Sequence, residues 1–408
     1  MNRTGVFDNS KELCFVPANP TPLIQPGGGV QETTTLLNEW NEELFPHRKL
    51  KRGGCNPFVT SFQTAWSNIV STCAANARKP YTETMTQSSS YFPSSYPWNF
   101  WGGILAPNGC IYNIPYNGHY TVYKVNVNTG AVTSIGRCSI GYTGAACLEN
   151  GMIYAFPFSG GSSILEIDSN TDTLNQLTGF GSIPSIASAI RGFDGMLYCI
   201  PRAGALLRFN PGCKTIETLA SGFTAQFSYG SGVLTPGGFI YCMPIGESRI
   251  LKINTNNGTC LTIDLPSGVS GQWFSGALAP NGCIYSAPFN GERVLKIDTS
   301  SDMVSLVGSS FSGSDKYMGS VLAPNGIIYG IPKNTSYILR IDPATDTVTQ
   351  IASGYTFSES YNGGILTPKG NIFVMPCKPG YVRIISFGND DIINFNANTL
   401  LSPFLNKY

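Results

Sequence analysis

A chain of 408 residues, 42% hydrophobic and 12% aromatic, is long enough to bury a large core without metal or disulfide staples. Its 25 basic and 24 acidic residues leave a net charge of +1, and the one short basic run, Arg48-Lys49-Leu50-Lys51-Arg52, reads as a solvated loop, so a nucleic-acid footprint is missing. Charged residues make up 12%, about half the usual share, which leaves Gly, Asn, Ser, Thr and Tyr to fill a surface that hydrogen-bonds rather than repels.

In chain order, residues 1 to 30 carry Pro17, Pro20, Pro22 and Pro26 followed by Gly27-Gly28-Gly29, which reads as an extended arm. The opening Met1-Asn2-Arg3-Thr4-Gly5 lacks an apolar secretory region, and no apolar run reaches the length of a membrane span, so neither a cleaved signal nor a span is expected. Glu32 to Phe45 is a helix candidate with Leu36, Leu37, Trp40 and Leu44 roughly on one face, closed by Pro46. A second helix is predicted from Phe58 to Ala77, with Phe58, Phe62, Trp66, Ile69, Val70 and Cys73 at helical spacing after Asn56-Pro57. Such a stripe either covers a face of the domain that follows or plugs a gap in it, or else the helices and arm together dock the chain into a larger assembly through Trp40, Phe58, Phe62 and Trp66. Residues 80 to 99 form an aromatic, charge-poor lead.

From about residue 100 one decapeptide pattern recurs, best written as Ala279-Pro280-Asn281-Gly282-Cys283-Ile284-Tyr285-Ser286-Ala287-Pro288. Its Gly returns at 109, 151, 195, 238, 282, 326 and 370, and its last Pro at 115, 157, 201, 244, 288, 332 and 376. The steps in both series are 42, 44, 43, 44, 44 and 44 residues, the signature of a repeat architecture. Within a unit the residues read as four strands. In the sixth copy these are Gly319 to Leu322, Ile327 to Ile331, Tyr337 to Ile341 and Thr347 to Ile351, separated by Pro-Asn-Gly, Lys-Asn-Thr and Asp-Pro-Ala-Thr turns.

Four antiparallel strands per unit and seven units predict an all-β, seven-bladed β-propeller over residues 100 to 396, preceded by a segment 1 to 99 and followed by a tail 397 to 408. The last outer strand is expected at Asp391 to Asn396, so that every blade supplies its own four strands, with closure by an N-terminal strand possible but not required. The repeat resembles the broad kelch, YVTN and gluconolactonase-like group of propellers in architecture, without the Trp-Asp pair of WD40 blades or the paired glycines of kelch blades. That group hosts enzymes, lectins and scaffolds alike, so the resemblance implies a fold and no single activity.

The twelve cysteines occupy positions that argue against bridges: Cys110 and Cys283 share one repeat slot, and Cys199 and Cys242 another. Packed sheets lie ~10 Å apart, beyond the roughly 7 Å that a disulfide spans, so free thiols are expected.

A propeller's ligands usually bind at the mouth of the central channel. Catalysis there is short of material: the chain has two histidines, His47 and His119, too few for a Ser-His-Asp arrangement. Gluconolactonase-like propellers hold a divalent ion on acidic and amide residues, and only Asp315 and Glu359 fall in loops leading to innermost strands, a poor cage. Aromatics are the better signal: Phe100, Tyr229, Trp273, Tyr317 and Tyr361 stand at one repeat position, either as packing between blades or as a platform for a sugar or protein. Lys124, Arg208, Lys252, Lys296 and Arg340, with Asn126, Asn210, Asn254, Asp298 and Asp342 two residues on, read as structural, the basic stems lying on apolar surface.

The expectation from sequence is therefore a non-enzymatic binding or structural module without metal or cofactor. Its composition resembles that of surface proteins of virus and phage particles, with capsid or tail proteins, and a host glycan, as the expected partners. The competing readings are a lactonase-like metal-dependent hydrolase and a cytosolic scaffold for protein partners.

Overall fold

The computed structural model describes residues 57–77, 79–92, 100–116, 118, 120–269, 272–355, 361–388 and 392–405, with the backbone alone at 57–60 and 397–398. The arm, the helix expected at 32 to 45 and Trp40 lie outside these residues.

Seven four-stranded antiparallel sheets are present, six of them built from consecutive strands. The chain is a seven-bladed β-propeller. Innermost strands are Phe100–Leu105, Tyr142–Cys147, Ile186–Arg191, Tyr229–Leu234, Trp273–Leu278, Tyr317–Leu322 and Tyr361–Leu366. Each pairs with a second strand that ends on the repeat proline, as Trp273 does opposite Pro288 and Leu278 opposite Ile284. Five of these innermost strands are buried at every position, whereas outermost strands such as Met303–Val307 are part-exposed throughout, so the core lies between blades and around the axis.

The repeat turn works as its residues dictate. In blade one Gly109, at φ 73°, donates its N–H to Ala106 O, while Asn108 Oδ1 accepts from Cys110 N, so glycine supplies the left-handed conformation and the amide closes the turn. Around the axis neighbouring innermost strands approach backbone to backbone. A Cβ at Gly144 would strike the main chain of Ser188, and one at Gly230 the carbonyl of Phe274, which is why small residues sit there.

The seventh blade departs from expectation. Its outermost strand is Thr84–Phe92, antiparallel to Gly380–Ser386 with Thr84 opposite Ser386 and Phe92 opposite Gly380. Residues 392–396 form no strand; there the chain turns onto the face made by the first-to-second-strand turns, where Ile393 N donates to Asn76 Oδ1. The ring is thus closed by a strand from before the repeats, and the structural boundary falls ahead of residue 99.

The basic row is likewise more than stems on apolar surface, because at most of its positions it ties one blade to the next. Tyr112 Oη donates to Asp172 Oδ1 at 2.7 Å while Lys124 pairs with the other carboxylate oxygen. Tyr241 and Lys252 hold Asp302 at 2.6 and 2.7 Å, and Tyr285 and Lys296 hold Asp346 at 2.6 Å each. Between blades two and three the polarity is reversed, with Glu166 paired to Lys214, whose Nζ also donates to Tyr154 Oη. Blade seven has no hairpin to supply the carboxylate, and Glu83, beside the closing strand, takes its place against Tyr329 and Arg340. Arg208 faces Gly258 in the next blade's equivalent slot and pairs instead with Asp194 and Glu217 of its own blade. The Asn and Asp residues two positions on act as expected: Asn126 Oδ1 accepts from Asn128 N, and Asp298 Oδ1 from Ser300 N.

The second helix spans Pro57–Asn76 and lies across the turn face. Phe62 packs on Phe193 of blade three and Phe404 of the tail, with ring centroids 5.1 and 6.1 Å apart, and Trp66 meets Phe404 at 5.6 Å. At its far end Asn76 Nδ2 donates to Pro324 O of blade six and to Ile393 O. The stripe therefore covers a propeller face, and the tail, with Leu400, Phe404 and Leu405 buried, packs beside it. A cavity of about 20 Å³, room for roughly one water, remains between the innermost strands of blades one to three and Leu401 and Pro403. Nine described cysteines are free, but Cys213 is disulfide-bonded, against the expectation of thiols throughout. Cys213 sits in an outer turn, outside the blade-to-blade positions from which that expectation was drawn. Among the described residues no helix is long and apolar enough to cross a membrane.

Candidate site at the channel mouth

Side chains alternate along a strand, and this decides which aromatics face the axis at the end opposite the helix. Phe100, Tyr229, Trp273, Tyr317 and Tyr361 each open an innermost strand, and all are buried. Their rings run outward along the blades. Phe100 packs on Phe92 and Tyr123, Trp273 Nε1 donates to Arg293 O at 2.9 Å, and Tyr317 Oη accepts from Gln350 Nε2 at 2.9 Å. Tyr361 Oη donates to Tyr381 O at 3.2 Å. The geometry matches the packing alternative and leaves no exposed platform at these five positions. Tyr142 fills the same slot in blade two, bonded to Ser163 and Gln176.

One residue further along, the side chain turns to the axis. Trp101, Phe274 and Met318 occupy this second position and come together from blades one, five and six, with the Trp101 and Phe274 centroids 5.6 Å apart. A second ring comes from the residue after six of the seven repeat prolines: Tyr116, Phe158, Arg202, Ile245, Phe289 and Lys333. Its backbone is fixed by one more ladder bond, from Phe158 N to Gly141 O, Arg202 N to Ser185 O, Ile245 N to Ser228 O, Phe289 N to Gln272 O and Lys333 N to Lys316 O, at 2.9 to 3.3 Å. Trp101 stacks against Tyr116 at 4.9 Å and Phe158 at 5.6 Å, and Tyr116 meets Phe158 edge-on at 4.4 Å. Phe289 continues the surface from Phe274 at 5.9 Å. These residues were open to discovery in the sequence by aligning on the proline and reading the next position.

Two cations stand on this aromatic surface. The Arg202 guanidinium lies over both Phe158 and Phe227, 4.1 Å from each centroid, and Lys333 Nζ lies 5.0 Å from Phe289. Among the described residues no carboxylate lies within ion-pair distance of Arg202. Burial lowers its pKa from the ordinary arginine value, with the Tyr116 hydroxyl acting in the opposite sense. Burial likewise raises Tyr116, partly offset by Arg202. Lys316, buried one residue before the sixth innermost strand, is lowered by desolvation against the pull of Glu292 and Asp315. Several polar atoms here are buried without a hydrogen-bond partner: Trp101 Nε1, Arg202 Nε and Asn362 Oδ1, the last at the second position of blade seven.

Of the other residues singled out in the sequence, His47, His119 and Glu359 lie outside the described residues, as does the Phe58 side chain. Asp315 is half-buried, its N–H donating to Asn290 Oδ1. Among the described residues no three His, Cys, Asp or Glu side chains converge as a metal would require.

A seven-bladed propeller with an aromatic, cationic channel mouth is the class that fold and site define. A family described as a repeat of unknown function (DUF6923) matches residues 232–397, the last four blades. No curated protein matches by sequence. Similar solved structures include a streptogramin B lyase, at 12% identity and TM-score 0.60, covering 76% of this chain and 99% of that one. A catalytically inactive histidine variant of virginiamycin B lyase from Staphylococcus aureus with quinupristin matches at 10% identity and TM-score 0.62, over 75% and 99%. A chain of the mitotic checkpoint complex matches at 8% and 0.56, over 76% and 94%. At these identities the likeness is one of fold, shared by an enzyme and by a chain of a multiprotein complex.

Proposed function

We propose that the chain is a non-catalytic recognition module of a large assembly, carried on the surface of a virus or phage particle, and that it holds its ligand at the channel mouth. The observation that carries the reading is the mouth itself: Trp101, Tyr116, Phe158, Phe227 and Phe289 form a part-exposed aromatic surface set with Arg202. Tyr, Trp and Arg are the residues on which recognition energy concentrates, and among the described residues none of these side chains here is hydrogen-bonded to a base or nucleophile of the kind acid–base catalysis requires. A chain only 12% charged, which leaves amides and hydroxyls to cover much of its surface, suits a particle exterior contacting capsid or tail proteins and host glycans. Lyase chemistry dependent on a histidine would have to come from His47 or His119, the two that the chain possesses. Sedimentation of native source material tests the reading: the chain is expected to travel with a large particle, and recovery only as a free 43.8 kDa species overturns it.

A further inference from the structure

A part-buried cation held on aromatic faces, with no carboxylate among the described residues to neutralise it, is a group that a ligand completes. Arg202 lies in a notch between two tilted rings whose centroids are 6.4 Å apart, so its position is fixed by Phe158 and Phe227 while its charge is not balanced. Its Nε is buried without a hydrogen-bond partner, and so is Trp101 Nε1, one aromatic contact away through Phe158. Buried donors left in this state are rare and costly. Asn362, 5% exposed and at the same register position as Trp101 in the adjoining blade, adds an unpartnered Oδ1.

Resting on the reading of the mouth as the recognition site, we propose that its ligand bears a carboxylate, which meets the Arg202 guanidinium while an apolar, planar body lies on the Trp101, Tyr116, Phe158 and Phe227 rings. One guanidinium fork matches the two oxygens and single charge of a carboxylate. A phosphate would bring about twice that charge and call for further cations at the same point. Lys333, the other cation of the ring, stands over Phe289 on the side of blade five.

Phenylacetate is the simplest probe of this chemistry, phenylacetamide its neutral counterpart, and inorganic phosphate the competing anion. In the full-length chain labelled with nitrogen-15, the Trp101 indole N–H signal is identified by its loss in Trp101→Phe. Phenylacetate is expected to shift that signal saturably, with at least about tenfold higher affinity than phenylacetamide or phosphate. Arg202→Gln is expected to reduce phenylacetate affinity about tenfold or more without lowering the melting temperature of the unliganded chain, and Arg202→Lys to fall short of recovery because the fork is lost. Equal affinity for phenylacetamide overturns the carboxylate and leaves a neutral mouth ligand in place. Preference for phosphate overturns it in favour of a phosphorylated ligand. Unchanged affinity in Arg202→Gln, or no saturable shift with any probe, overturns the inference itself, while particle association in the sedimentation test decides the broader reading separately.

Discussion

A residue other than glycine in the left-handed region costs about 1–2 kcal/mol, yet Asp172, Lys214, Asp302 and Asp346 all occupy it, at φ 55° to 59°. Each sits at the tip of an outer hairpin, from which a side chain reaches back to the preceding blade, and Gly130 and Gly258 fill the slots where no such reach is made. The strain is tolerated because the carboxylate or ammonium completes a buried tyrosine and an oppositely charged side chain. Asp346→Ala should therefore lose both the contact and the tolerance, costing about 2–4 kcal/mol, whereas Asp346→Gly relieves the strain and should cost about 1 kcal/mol less. Equal urea midpoints for the two variants would show that the backbone is not strained. A second residue acts through its proton. Burial pushes the Asp194 carboxyl up to about 6, against the Met196 N–H, Arg208 and Tyr198, while an unfolded aspartate titrates near ~3.9. The folded chain then binds the proton more tightly, so this group's contribution is fully present below about 4 and is lost as pH rises through about 6. Asp194→Asn places there the amide that Asn108, Asn281 and Asn325 present in other blades. It is expected to flatten the dependence of unfolding free energy on pH between about 4 and 6, and an unaltered slope in urea titrations would count against the assignment.

At the scale of elements, the hairpins were legible because each strand is bracketed by residues whose backbone preferences admit little else: Pro-Asn-Gly on the inner side, Asx turns on the outer. The helix was legible for the same reason, with Pro57 fitting its first turn and Phe62, Ile69 and Cys73 on one buried face. The closing strand was not. Thr84-Met85-Thr86-Gln87-Ser88-Ser89-Ser90-Tyr91-Phe92 carries no copy of the repeat and lies almost 300 residues from its partner, as the Arg383 to Gln87 hydrogen bond across 296 positions records. Only the ring's need for a fourth strand in blade seven reveals it. Removing residues 1–99 should accordingly do more than detach an arm. Gly380–Ser386 would become an open edge, and Tyr329 and Arg340 would lose Glu83. The shortened chain is expected to melt at lower temperature and to self-associate with rising concentration, as unprotected edges do. Light scattering that stays monomeric, with melting unchanged, would mean that the closing strand is dispensable.

The whole molecule explains why the choice between packing and platform stayed open in the sequence. Within one blade the opening aromatic of the innermost strand and its neighbour are equally plausible ligands of the channel, and only the shared axis of seven blades fixes which face of the pleat looks inward. Small residues along the innermost strands are the trace of that axis in the sequence, since a closed ring leaves no direction in which an overpacked strand can retreat. Gly230 makes the point sharply. Its backbone needs no left-handed φ, so alanine is conformationally acceptable, but the added methyl would meet the Phe274 carbonyl of the next blade. Gly282, by contrast, has a φ of +79° and open space around it, so alanine there meets strain and no neighbour. In an open solenoid both changes would cost about 1–2 kcal/mol, the first by a small displacement of one repeat against the next. In the closed ring that displacement must be shared by all seven blades, so Gly230→Ala is expected to cost about 3 kcal/mol or more, clearly above Gly282→Ala. It should also shift the Trp101 indole signal, because the same inner ring positions the mouth. Equal denaturant midpoints for the two variants would mean that the blades slide past one another, and that the channel mouth is held by its own aromatic contacts rather than by closure of the ring.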